Sequence, residues 1–371
     1  MIRCEDLADI FKKNNLTFFS GVPDSTFKEW MKFLDDGNGL TNILAVNECE
    51  AIAMVSGYYL ATKNIGVVYM QNSGLGKTVN PLTSLCDKEV YSIPLILMIG
   101  LRGEPGEKDE PQHKKMGRIT LPLLDVLEIP YAILPNTLEE ISKVITEMKR
   151  ASVEKNSPVA IIIKKGLLEE YTSKKTTKTY YEMSREDAIK TITNNIQNNG
   201  VIISTTGKAS RELFEYRIQR KEKPKDFYTV GGMGCSASIA NAIAMQKPNL
   251  PVWVFDGDGA VLMQMGTLAT IGKYRTENLY HIVFDNNSYD STGGQPTDSS
   301  TVNFEKIALA CGYKTARTIQ KKSDLEEYLN IMKSQKGPQM LIIKIKRGAR
   351  KDLGRPTTTP IENKIEFMDN L

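Results

Sequence analysis

The sequence predicts an α/β protein built from two doubly wound parallel-sheet domains. Three observations lead there. The chain has 371 residues, more than a single core usually serves. Short Val/Ile/Leu runs recur without alternation, as expected of strands covered on both faces. Helix-like stretches separate those runs, which is the grammar of parallel sheets. In the first half the strand candidates are residues 67–71, 94–99, 131–134 and 159–163, with helices at 51–62 and 138–151. The second half repeats the pattern with strands at 201–204, 252–255, 281–284 and 340–345. Residues 169–186, with Lys174, Lys175, Thr176, Thr177 and Lys178, are polar and weakly periodic, as a linker is. The expected organisation is therefore a domain over 1–170, a linker over 171–185 and a domain over 186–371. A second polar stretch, 347–360, fits either a loose tail or a flap over a site, and composition does not choose between them.

Bulk properties exclude several classes. Charged residues make up 25% of the chain and the net charge is +4, too mild a surplus to argue for nucleic acid. The most apolar runs, 93–100 and 159–163, fall far short of the roughly 18 residues that span a bilayer. Residues 1–14 mix Arg3, Glu5, Asp6 and Asp9 with apolar residues, so they read as an amphipathic helix and not as a signal peptide. The cysteines Cys4, Cys49, Cys86, Cys235 and Cys311 are odd in number and unpaired in spacing, which suits reduced thiols in the cytoplasm.

The most informative segment lies between residues 252 and 294. One strand ends in Asp256-Gly257-Asp258-Gly259, a helix-like stretch covers 261–274, and the strand over 279–284 ends in Asp285-Asn286-Asn287-Ser288-Tyr289. Neighbouring parallel strands would bring Asp258 and Asn286 to one carboxyl edge, where open α/β sheets bind ligands. A carboxylate, an amide oxygen and a backbone carbonyl, completed by phosphate oxygens, are what Mg²⁺ selects. Gly257 and Gly259 let the main chain approach a phosphate, and the following helix start offers free N–H groups.

This pattern resembles the signature of thiamine-diphosphate enzymes, with residues 260–285 separating its two halves. The resemblance implies Asp258, Asn286 and the Ser288 carbonyl as Mg²⁺ ligands, with Asn287 the less favoured register. It also implies Gly207, Gly231, Gly232, Met233, Gly259, Ala260 and Tyr289 as cofactor contacts, Met233 being the apolar wedge under the thiazolium. Glu48, Ala51, Met54, Gly57 and Tyr58 are similar to the family's glutamate helix, Met54 standing where alanine is usual. Glu48 is then the carboxylate that protonates the aminopyrimidine, and Glu50 is its competitor, out of register. A site assembled from a glutamate domain and a diphosphate domain implies at least a homodimer with the active site at the chain interface.

There is no room for the middle domain that many relatives carry. Further segments at 20–25, 69–76, 102–106, 109–113 and 291–297 resemble the phosphonopyruvate decarboxylase family, from residue 20 to about residue 360. Sulfopyruvate decarboxylases share parts of the pattern, often as two subunits, so the single chain favours the phosphonate reading. The implied reaction is decarboxylation of a small 2-oxo acid, 3-phosphonopyruvate, to phosphonoacetaldehyde and CO₂ in phosphonate (2-aminoethylphosphonate) biosynthesis. His113, Asp24 and Ser25 are candidates for handling the proton, whereas His281 begins a strand and suits a structural place. Arg102, Lys108, Gln112 and Lys208 are candidates for holding the anionic substrate, with Arg350 and Arg355 as further cations.

Two other readings compete. Gly74-Leu75-Gly76-Lys77-Thr78 ends like a nucleotide-binding P-loop, but the glycine that motif needs five residues before Gly76 is Gln71. A carboligase needs flavin and an extra domain, for which the chain has no space. A binding protein without catalysis has little use for Glu48 beside a complete metal motif.

Overall fold

The computed structural model describes residues 1–175, 180–196, 200–222 and 225–371. Thr176, Thr177 and Lys178 of the expected linker lie outside them. The chain divides into two compact units, Met1–Thr177 with Thr292–Gln295, and Lys178–Ser291 with Pro296–Leu371.

The first unit is a six-stranded parallel sheet. Its strands are β1 (Phe18–Gly21), β2 (Thr41–Leu44), β3 (Val67–Gln71), β4 (Ile96–Gly100), β5 (Tyr131–Ile133) and β6 (Val159–Ile163). They lie in the order β2-β1-β3-β4-β6-β5. Successive side chains of a strand leave opposite faces, and both faces are buried here. Tyr69, Met98 and Ile161 enter one core with Phe11, Trp30 and Ile145, while Val68, Leu97 and Ile162 enter another with Ile52, Val55 and Leu124. The unbroken apolar runs follow from this. The strand expected at 94–99 starts at Ile96, two residues past Pro94, which lacks the ladder N–H.

The second unit holds β7 (Val201–Ser204), β8 (Phe227–Tyr228), β9 (Val252–Gly257), β10 (Leu279–Asp285), β11 (Thr315–Ile319) and β12 (Gln339–Lys344). All pairs are again parallel, in the order β11-β12-β10-β9-β7-β8. One face packs Ile202, Phe255, Phe284 and Leu341 against Leu213, Leu325 and Leu329.

Every strand of a parallel sheet delivers its following loop to the same edge. In the first unit that edge receives Asp24 after β1, Glu48 after β2, Asn72 after β3 and Arg102 after β4. In the second it receives Thr205–Lys208, Gly231–Ser236, Gly257–Ala260 and Asn286–Asp290.

Three sequence expectations change. The helix expected from residue 51 begins at Glu48, because the Asn47 side chain caps it by accepting the Glu50 N–H at 3.1 Å. The helix-like stretch at 261–274 is two helices, Asp258–Met263 and Gly266–Tyr274. The polar stretch at 347–360 is neither a loose tail nor free. Arg347 Nη2 donates to the Asn287 carbonyl at 2.7 Å, and Arg350 pairs with Glu186 at 3.2 Å and with Glu215. A closing helix, Pro360–Asp369, follows it, started by a Thr359–Glu362 capping box. No helix among the described residues is long and apolar enough to cross a membrane.

Candidate active site

In the first unit, Glu48 stands in the first turn of its helix and is buried. Its carboxylate lies against Gly74, where a Cβ would come within 2.3 Å of Oε1, so the glycine makes the space. Oε2 has no hydrogen-bond partner. Lys77 Nζ stands 3.4 Å from it as an ion pair outside hydrogen-bonding geometry. Glu50 differs, because its Oε2 accepts the Val46 N–H at 2.9 Å and ties off the loop. Gly74-Leu75-Gly76 therefore does not form a phosphate loop. It leads into the helix Leu75–Pro81 and walls the Glu48 pocket.

A second group of polar atoms surrounds Arg102. Its guanidinium grips Asp109 through Nε at 2.8 Å and Nη2 at 2.5 Å, and Nη1 donates to Ser25 Oγ at 2.8 Å. Asn72 fixes this turn by accepting the Arg102 N–H at 3.2 Å and donating to the Arg102 carbonyl at 2.9 Å. Arg102, expected as a substrate cation, is thus already neutralised by Asp109, whose carboxyl its hydrogen bonds hold low against the opposing effect of burial. Asp24 is fully buried, with Oδ1 accepting the Thr26 N–H at 3.2 Å and Oδ2 unpartnered. Burial pushes its pKa up to about 6, against the opposing pull of its hydrogen bonds and Arg102. His113, on the helix Pro111–Val126, is buried with Nδ1 unpartnered. Burial, then Arg102, holds its pKa below the usual histidine value, so the ring is neutral at pH 7. Gln112 Oε1 is also buried and unpartnered. Lys108 is exposed on the preceding loop.

The second unit presents the other half of the signature. Asp258, buried, starts its helix and accepts a short hydrogen bond from Thr297 Oγ1. Burial, then the Asp285 carboxylate, pushes its pKa up to about 7, which is the electrostatics of a place that wants a cation. Asn286 accepts the Ser288 N–H on Oδ1 at 2.9 Å and donates Nδ2 to Asp290 at 2.9 Å. Asn287 adopts φ +51°, and its Oδ1 accepts from Ser299, which also bonds Thr297. A Cβ on Gly259 would meet Tyr289 at 2.6 Å and Met233 at 3.3 Å, so Tyr289 and Met233 converge on the glycine, beside Ala260. Gly207 and Gly232 have φ +98° and +62°, conformations that side chains resist, and Gly231 opens that second turn. Lys208 is half-buried at its helix start, and burial holds its pKa below the usual lysine value. His281 lies inside the sheet with Nδ1 3.1 Å from Tyr313 Oη.

The residues present fit thiamine diphosphate and a divalent cation. Glu48 Oε2 is a buried acceptor without a donor, and Ser236 Oγ and Ser288 Oγ are buried without partners. Asp258 is buried close enough to Asp285 to feel its charge, a pairing a divalent cation would stabilise. Sequence reasoning named most of these residues but not Thr297 and Asp290, the side chains that hold Asp258 and Asn286. Both carry a readable signal, since Asp290 follows Asn286 by one helical spacing and Thr297 ends the Ser291–Thr297 motif.

Residues 4–121 match the N-terminal, and residues 205–343 the C-terminal, binding domain of thiamine pyrophosphate enzymes. The Streptomyces viridochromogenes phosphonopyruvate decarboxylase is 33% identical over 98% of this chain and 93% of its own. The chain belongs to the phosphonopyruvate decarboxylase family. A second member, from Streptomyces hygroscopicus, is 32% identical over 100% of this chain and 94% of its own. The sulfopyruvate decarboxylase of Methanosarcina acetivorans is 25% identical over 93% and 91%. That relative also matches both halves in one chain, whereas the sulfopyruvate decarboxylase of Methanocaldococcus jannaschii matches as separate α and β subunits, so a fused chain favours the phosphonate enzymes without being exclusive to them. The family's thiamine pyrophosphate domains account for both units, and no middle domain intervenes between them.

Proposed function

We propose that this chain decarboxylates 3-phosphonopyruvate to phosphonoacetaldehyde and CO₂, using thiamine diphosphate and Mg²⁺. The observation that carries the reading is the near full-length relationship to phosphonopyruvate decarboxylases, joined to a buried glutamate with a free carboxylate oxygen. When bound, thiamine diphosphate supplies an electron sink for the pair left behind as CO₂ departs. Glu48 is the carboxyl group that would stand against the aminopyrimidine and give it a proton, its buried Oε2 being the atom that holds that proton. Asp258, Asn286 and the Ser288 carbonyl hold Mg²⁺, while Gly207, Gly231, Gly232, Gly259 and Ala260 leave room for the diphosphate, and Met233 and Tyr289 wall the ring. The reaction consumes one proton at carbon; Asp24, whose pKa is raised to about 6, is the group proposed to deliver it, with the neutral His113, also buried, placed to accept a proton and pass it on. Ser25, Gln112 and Lys208 then contact the substrate's anionic ends, as would Lys108 if its loop turned inward.

The reading includes a homodimer with the cofactor shared between copies. Helix Glu48–Thr62 supports this, since Ala53, Met54, Gly57, Leu60 and Ala61 are exposed although its other side is core. A cytoplasmic setting agrees with five cysteines that form no disulfide, and a place in phosphonate biosynthesis follows from the substrate.

The test is steady-state CO₂ release from phosphonopyruvate, sulfopyruvate and pyruvate, each with and without added Mg²⁺ and thiamine diphosphate. Cofactor-dependent preference for phosphonopyruvate is expected. Preference for sulfopyruvate would keep the mechanism and change the substrate, and no release from any of the three would overturn the reading.

A further inference from the structure

Asn286 is an amide, and an amide offers a cation only its oxygen. Which end faces which way is decided by its neighbours. Asp290 can only accept hydrogen bonds when ionised, so it takes Nδ2 at 2.9 Å, and the Ser288 N–H can only donate, so it takes Oδ1. Asp290 is itself over-determined. Its carboxylate receives the Gly348 N–H at 3.1 Å and pairs with Arg185 Nη1 at 3.4 Å. Arg185 is buried and held by Glu212 through Nε at 2.8 Å and Nη2 at 3.1 Å. Glu212 is nearly inaccessible and faces no solvent that could replace this partner.

We propose that Asp290, fixed by the Arg185–Glu212 pair, is the positioning residue that keeps Asn286 oriented with its oxygen available to the metal. The proposal rests on the metal reading of the function above. The carboxylate supplies no electrons to the cation. It selects one of two amide orientations before the cation arrives, as outer partners of metal ligands do. Gly348 makes the polar stretch 347–360 part of this clasp, since its N–H closes on Asp290 while Arg347 closes on Asn287.

The experiment is titration of Mn²⁺ into the full-length protein at saturating thiamine diphosphate, followed by electron paramagnetic resonance of free Mn²⁺. Asp290→Asn, which can present either amide end to Asn286, is expected to weaken Mn²⁺ binding by roughly 10- to 100-fold. The exchange Asn286→Asp with Asp290→Asn reverses donor and acceptor while keeping the net charge, and is expected to restore most of the loss. Because a carboxylate at 286 attracts Mn²⁺ by its charge alone, the exchange is compared with Asn286→Asp combined with Asp290→Ala, which has the same charge without an amide donor at 290. Tighter binding by the exchange than by that variant is a response a merely structural role does not give, and equal binding overturns the proposal. Asp290→Asn binding Mn²⁺ as tightly as the unaltered protein, or an exchange variant no better than Asp290→Asn, overturns the proposal. Asp258→Ala is run alongside. If it too binds normally, the metal reading itself has failed, whereas loss in Asp258→Ala with none in Asp290→Asn sinks the clasp alone.

Discussion

Glu48 and Glu50 sit two positions apart on one helix start and differ in what they can do. Glu50 has spent its acceptor on Val46, whereas Glu48 Oε2 is buried and unpartnered. Glu48→Gln is therefore expected to lower turnover by roughly 10²- to 10⁴-fold while thiamine diphosphate still binds, as calorimetry would show. Retained turnover would remove Glu48 from the proton path. Register in the sequence favours Glu48 over Glu50, and the backbone hydrogen bond that occupies Glu50 is one that no spacing reveals. Asp24 makes a second prediction. Its folded pKa, raised to about 6 from 3.8, means that the stability tied to its protonated form is complete below pH 3.8 and lost as pH rises to about 6. Asp24→Asn keeps the acceptor for the Thr26 N–H but cannot ionise. Its advantage over the unaltered protein in urea unfolding should grow across that window, by up to about 3 kcal/mol, and then level off. A difference that does not change with pH would show that Asp24 is not held this way.

Helices and turns position these side chains, and glycines set how closely they can pack. A Cβ on Gly117 would fall 1.6 Å from the Gly103 carbonyl oxygen, so the His113 helix can rest on the Arg102 turn only without a side chain there. Gly117→Ala is expected to destabilise the protein by about 1–3 kcal/mol and to cost more in turnover than in thermal stability, because His113 moves with its helix. An unaltered melting temperature would mean that the helix has slack. At this scale the sequence was legible where burial was complete. The interior strands β3, β6, β7 and β9 announced themselves as apolar runs, while β2, β8 and β11 did not, since these outer or near-outer strands are short or partly exposed and carry polar residues such as Thr41, Asn42 and Arg317. The break between helices 258–263 and 266–274 was equally hidden, because apolar periodicity continues through it.

Across the whole molecule the sequence foretold two parallel sheets and their cofactor, but not that both are wound alike. Numbered within its own unit, each sheet runs 2-1-3-4-6-5. The proposed dimer can be tested at this scale. Leu60 is largely exposed on an otherwise apolar helix, so Leu60→Lys is expected to shift the protein toward monomer in sedimentation velocity and to make activity fall on dilution. Unchanged sedimentation would place the interface elsewhere. The repeated winding has one more consequence. Each unit closes its own sheet and core, so what the join supplies is stoichiometry: translation of a single message makes one first unit for every second, and their numbers stay equal without any balancing of two genes.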